Sequence, residues 1–248
     1  MGENRYAIQS LDAIDWSSIG RVNEQKELTE RLGCSHTSVR AYRTQSGNAV
    51  PLERWQERLV VPINGSGTLI VDGNPHFEDQ SIAMIQAGTQ AKILSDLITI
   101  WLVVSASAEP NSEVKYTSVD VNSLEFDDPE TSPILTARLT DAFACAGMKV
   151  NVRRLDKGEA VPYHTEGSQE EIYIPYDGPG ELRVGGTTLP VKQGAVCRFA
   201  PEVPRSAVNP TNKSVRWLMV GAPPTGAVDG WDPGAKLREW PEADLKEG

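Results

Sequence analysis

The chain repeats itself. "LTERLGCSHTSVRAYRTQSGNAVP" (28–51) lies without gaps on "LTDAFACAGMKVNVRRLDKGEAVP" (139–162), with 9 of 24 positions identical at an offset of 111. "VPINGSGTLIVDG" (61–73) then matches "IPYDGPGELRVGG" (174–186), and "WLVV" (101–104) matches "WLMV" (217–220). Self-similarity that keeps its order over so long a stretch means two copies of one structural unit. The polar stretch "SAEPNSEVKYTSVD" (107–120) contains the join, and there Tyr116 restarts the pattern begun at Tyr6. The expected units are 1–112 and 113–248.

Each copy reads as strands. "ERLVVPI" and "EEIYIPY" are apolar runs of strand length, each followed by a Gly-x-Gly turn and an alternating "TLIVDG" or "ELRVGG". Short strands separated by Gly, Pro and Asn turns make an all-β sandwich or barrel. "NEQKELTERL" (23–32) is a candidate short helix, although its repeat partner "SPILTARLTDAF" reads equally well as a strand. The Pro/Gly-rich end, which carries Trp231 and Trp240, is expected to wrap over a barrel or a partner, because two indoles are poor candidates for free solvent.

Charge narrows the partners. A net charge of −10 argues against a nucleic-acid or anionic-membrane surface, both of which need a basic patch. "MGENRYAIQS" has neither the basic start nor the apolar run of a signal peptide, and "DLITIWLVVSASA" is too short to span a bilayer. A cytoplasmic protein is expected. Cys34, Cys145 and Cys197 are far apart and include no CxxC pair, so they read as free thiols in a reducing compartment.

The densest chemistry lies in "AVPYHTEGSQEEIYIPYDGPG" (160–180). Here Gly158, five residues, His164-Thr165-Glu166, four residues, Glu171, six residues and Gly178 follow one another. Further on, "GAVCRFAPEVPRSAVNP" supplies Gly194, Pro201, Pro204, Arg205 and Asn209. These segments resemble the two motifs of the cupin superfamily, and with the duplication the chain resembles a bicupin. Two residues depart from the family pattern, Glu166 and Arg205, each standing where a histidine is expected.

The resemblance implies two tandem jelly-roll barrels, with His164, Glu166 and Glu171 converging on a divalent metal, Fe, Mn or Zn. Residues two apart on a strand share a face, so His164 and Glu166 can aim together, as can Glu171 and Tyr173. Glu171, Arg205 and Tyr173 are the catalytic candidates, Arg205 either as a clamp on an anionic substrate or as a structural ion pair. Glu170, one residue out of phase, is expected to face water. In the earlier copy "LERWQER" is two residues shorter, and aligning it sets Glu53 against His164, Arg58 against Glu171 and Ala91 near Arg205. No metal set is expected there. His36 and His76 read as surface residues, Cys197 as a small hydrophobe, and Trp101 and Trp217 as packing.

Three functions follow as expectations. One is a metal-dependent enzyme performing oxygen insertion, isomerisation or lyase chemistry on a small anionic substrate. Another is a metal-free module that binds a small polar ligand, and the third a structural bicupin without an active site. A homo-oligomer is expected in each case.

Overall fold

The computed structural model describes residues 5–16, 23–45, 47, 49–110, 113–127, 134–224 and 236–240. They form two antiparallel β barrels, each a large sheet curled over a smaller one. In the earlier barrel the six-stranded sheet runs Tyr116–Asp120, Ser81–Ile85, Glu57–Asn64, Thr99–Ala106, Thr37–Thr44, Glu24–Glu27. Its four-stranded companion runs Val50–Leu52, Ala91–Leu94, Gly67–Val71, Asn74–Glu78. In the later barrel the six strands are Tyr6–Gln9, Val196–Phe199, Glu170–Pro175, Val215–Ala222, Lys149–Leu155, Leu135–Arg138. The five-stranded companion is Thr187–Val191, Gly180–Val184, Arg205–Val208, His164–Thr165, Lys236–Leu237. No described helix is long and apolar enough to cross a membrane.

The first strand of each repeat crosses to the other barrel. Tyr6–Gln9 pairs with Val196–Phe199, and Tyr116–Asp120 pairs with Ser81–Ile85. The segment 23–32 is a strand, Glu24–Glu27, followed by a single helical turn, Thr29–Leu32, which Gly33 ends at φ 68°. The strand wins because Glu24–Glu27 pairs along its whole length with Thr37–Thr44.

Burial on both faces explains why the central strands read as continuous apolar runs. Along Glu170–Pro175, Ile172 and Ile174 enter a core shared by the two large sheets, with Leu59, Val61, Leu102 and Val104 of the earlier barrel. Tyr173 points the other way, into the interior of the later barrel with Leu182, Phe199 and Trp217. The earlier barrel has its own interior around Val60, Leu69, Ile93 and Trp101. Each barrel seats its tryptophan on a glycine. A Cβ at Gly67 would lie 2.4 Å from Trp101 Cζ2, and one at Gly180 would lie 2.1 Å from Trp217 Cζ2.

Two carboxylates close the joint between the barrels in near two-fold symmetry. Glu170 accepts from the backbone N–H groups of Ser35, His36 and Thr37 and from the hydroxyls of Ser35 and Thr37. Glu57, its repeat partner, accepts from Ala146 and Gly147 N–H. The expectation that Glu170 faces water is therefore corrected: it is 0% exposed and ion-paired with Arg198 at 2.8 Å. The strand phase was right, since Glu170 and Glu171 do point oppositely, but the opposite face is covered by the other barrel. Burial alone raises a carboxyl pKa, and Glu57, with only backbone donors, ends above its ordinary value. For Glu170 the same burial is outweighed by the Thr37 and Ser35 donors and Arg198, so its pKa is lowered.

Candidate metal centre of the later barrel

His164 sits on a two-residue strand held opposite Arg205, whose other neighbour is Val184. Glu166 follows directly, fixed by its N–H to Pro201 O at 2.9 Å. Glu171 and Tyr173 reach the same interior from the strand Glu170–Pro175. The structure thus gathers every candidate from the sequence. His164 Nε2 lies 3.3 Å from Glu166 Oε1 and 3.9 Å from Glu171 Oε2. One donor atom from each of these three residues falls within 4.8 Å of the others.

Hydrogen bonds behind the cluster hold His164 and Glu171 in place. His164 Nδ1 is 2.6 Å from Pro162 O, and a carbonyl only accepts, so Nδ1 carries the proton and Nε2 faces the carboxylates. Arg205 donates from Nε and one terminal nitrogen to Glu171 Oε2, at 3.0 and 2.6 Å. Its other terminal nitrogen donates to Pro201 O and Val203 O. Four of its five N–H groups are thereby satisfied within the protein, and the second terminal nitrogen also lies 3.9 Å from Glu166 Oε1. Arg205 is 0% exposed and ion-paired with Glu171, with one N–H group not committed to a hydrogen bond.

The electrostatics follow from this packing. Burial raises the Glu171 carboxyl, but the charges of Arg205 and His164 outweigh it and hold the group below the ordinary carboxylate range. Burial, then the neighbouring Glu171 charge, pushes Tyr173 well above its usual value, so its phenol stays protonated. Tyr173 packs edge-on against Phe199 at 5.1 Å. Cys197 is buried in the same apolar cluster. Asn209 organises the following turn, donating to Leu155 O and Lys213 O and accepting from Thr211.

The residues fit a divalent ion. One imidazole and two carboxylates suit Fe(II), Mn(II) or Zn(II). Glu171 has a second oxygen to offer while Arg205 holds the first, and ligating carboxylates are commonly hydrogen-bonded in this way.

The strand Lys149–Leu155 turns a polar stripe toward the site, one that its sequence does not mark as chemistry. Val150 and Val152 enter the inter-barrel core. Lys149, Asn151 and Arg153 alternate with them and lie opposite Gly221, Met219 and Trp217. Met219 and Trp217 belong to the interior cluster, so the stripe faces inward. The period-two pattern of "KVNVR" carried this signal, with the apolar residues facing out and the polar ones in. Burial lowers the Lys149 pKa, against the opposing pull of Glu166 and Glu171.

The tail covers the strand that carries His164. Lys236–Leu237 pairs with His164–Thr165, and Arg238 N–H donates to Tyr163 O at 2.8 Å. Trp240 stands edge-on to Tyr163 at 5.0 Å, with Arg183 over its ring at 5.4 Å. Trp231 lies outside the described residues.

The earlier barrel presents different side chains at the same register. Leu52 pairs with Ala91 as His164 pairs with Arg205, so the counterpart of His164 is Leu52 and not Glu53. The shorter loop displaced the linear alignment by one residue. Arg58, at the Glu171 position, donates to Glu53 O, Gln86 O and Thr89 O. Burial lowers its pKa to about 10. His36 is exposed and His76 packs on the Tyr116 ring. Among the described residues the group His164, Glu166 and Glu171 is the one set that could hold a metal.

Tandem antiparallel barrels with a His/Glu cluster inside one of them define a double-barrel β protein with one candidate metal centre. Residues 151–221 match the family model of the cupin domain. The later barrel thus matches the cupin domain, and the earlier barrel repeats its fold. No curated protein matches the chain by sequence. Its fold is shared with protein Ylba of E. coli, at TM-score 0.70 and 11% identity, covering 92% of this chain and 95% of that one. Salicylate 1,2-dioxygenase of Pseudoaminobacter salicylatoxidans gives TM-score 0.58 at 10% identity, over 75% of this chain and 70% of that one. Oxalate decarboxylase OxdC of Bacillus subtilis gives 0.60 at 10%, over 81% and 72%, and a further structure of it concerns Mn(II) centres. At these identities the likeness is one of fold.

Proposed function

We propose that the later barrel is the active centre of a metal-dependent enzyme acting on a small anionic molecule. His164 Nε2, Glu166 and Glu171 would hold the ion. The observation that carries this reading is the convergence of these three donors, with Nδ1 of His164 tied to Pro162 O and Glu171 kept ionised by Arg205. A divalent ion bound there would act as a Lewis acid on a substrate oxygen. Arg205 positions Glu171, and Tyr173 keeps its proton beside that carboxyl. A dioxygenase and a decarboxylase among proteins of the same fold support an oxidative or carbon–carbon bond-cleaving reaction over a purely structural role.

A second reading, a metal-free site, is favoured by one contact. The Arg205 guanidinium already lies 2.6 Å from Glu171 Oε2 and supplies a positive charge to the cluster. Elemental analysis separates the two. After growth with Fe, Mn and Zn, the wild type is expected to carry one metal per chain and His164→Ala none. Wild-type protein without metal leaves the metal-free reading, and a His164→Ala protein that keeps its full complement refutes the ligand assignment.

A further inference from the structure

We infer that Lys149 is the anchor for a carboxylate group of the small molecule bound in the later barrel. The inference rests on the reading of that barrel as a small-molecule site, and it names the residue and the ligand class. The sequence offered Arg205 for this task, but four of its five N–H groups are taken up by Glu171, Pro201 and Val203.

Lys149 differs from Arg205 in that respect. Its Nζ is buried and has no hydrogen-bond partner among the described residues. Leaving a buried ammonium without acceptors is costly, and an incoming oxyanion removes that cost. The register places it at the site. Gly221 pairs with Glu171 on one side and with Lys149 on the other, so the two side chains flank a position that has none. The strand spacing puts their backbones about 9–10 Å apart, a span that a lysine stem and a small carboxylate together bridge. Gln169 lies over Gly221, and its Nε2 donates to Pro223 O. Asn151 and Arg153 extend the same polar face deeper into the barrel.

Charge selects the ligand. Glu166 and Glu171 are more than balanced by Arg205, Lys149 and Arg153, so a divalent ion at His164 leaves an excess of positive charge for the ligand to offset. A small carboxylate meets this demand, with one carboxylate on Lys149 Nζ and its remaining oxygens directed to the His164 cluster.

The test titrates malonate, and separately phosphate, into the metal-supplemented full chain by calorimetry, with metal content and melting temperature measured on each sample. Lys149→Met is expected to weaken malonate binding at least tenfold. Lys149→Arg, which keeps the charge, should retain it, as should Lys157→Met in an exposed turn. Equal malonate affinity in wild type and Lys149→Met overturns the assignment, as does a folded wild type that does not bind malonate. Phosphate bound as tightly as malonate overturns the carboxylate class. Should both proteins lack metal while malonate binding still depends on Lys149, the metal reading falls and the anchor stands.

Discussion

Replacing Glu170 by alanine is expected to destabilise the protein heavily, although Glu170 contributes nothing to the candidate site. Its carboxylate is fully buried between the barrels and accepts from three backbone N–H groups, two hydroxyls, and Nε and one terminal nitrogen of Arg198. Removing it takes the Glu170 charge away from buried Arg198 and strands the amides of residues 35–37. Breaking a buried pair from one side costs about 3–5 kcal/mol. In a chain of this length each kcal/mol lowers Tm by about 2–4 °C, so a fall of about 6–20 °C follows. Thermal melts by circular dichroism at pH 7 measure it, with exposed Glu125→Ala as the control, expected within about 0.5 kcal/mol of wild type. Adding Arg198→Met to Glu170→Ala should recover part of the loss, because the orphaned charge leaves with it. The Glu170 pKa is lowered on folding, so its contribution is complete above the ordinary value of 4.5 and is lost as pH falls through the folded-state value. The gap between wild type and Glu170→Ala should therefore close under acid. A Glu170→Ala protein melting within about 2 °C of wild type at pH 7 would mean that the carboxylate is solvated, and the account of the joint fails.

Gly67→Ala and Gly180→Ala should each cost about 1–3 kcal/mol in denaturant titrations, since both push a Cβ into a buried indole. Two unaffected variants would show that the tryptophans are not seated as described. Arg205→Met should cost about 3–5 kcal/mol by the same measurement, because it leaves Glu171 and two carbonyls unpaired. A variant of unchanged stability would return Arg205 to the role of a free substrate clamp.

Duplication, strand content and the inward set of His164, Glu166, Glu171 and Arg205 were all legible, because strand alternation and loop spacing are local properties. Lys149, Asn151 and Arg153 were equally local in pattern. They escaped because polar residues facing a barrel interior invert the usual rule, with the apolar side of their strand turned to the neighbouring barrel. Glu53 was matched to His164 because a loop deletion has no unique place in a linear alignment, whereas the pairing of Leu52 with Ala91 fixes it.

The sequence by itself determined that there are two β units, which of them carries the candidate ligand set, and which side chains alternate toward it. Only the tertiary structure decided that Glu170 is buried, that Arg205 is already occupied, that the first strands change barrels, and that the tail lies along His164. Each of these depends on residues more than thirty positions apart meeting across a sheet or between barrels. Period and composition describe one strand at a time, and whether its outer face meets water or another sheet is settled only when the second sheet arrives.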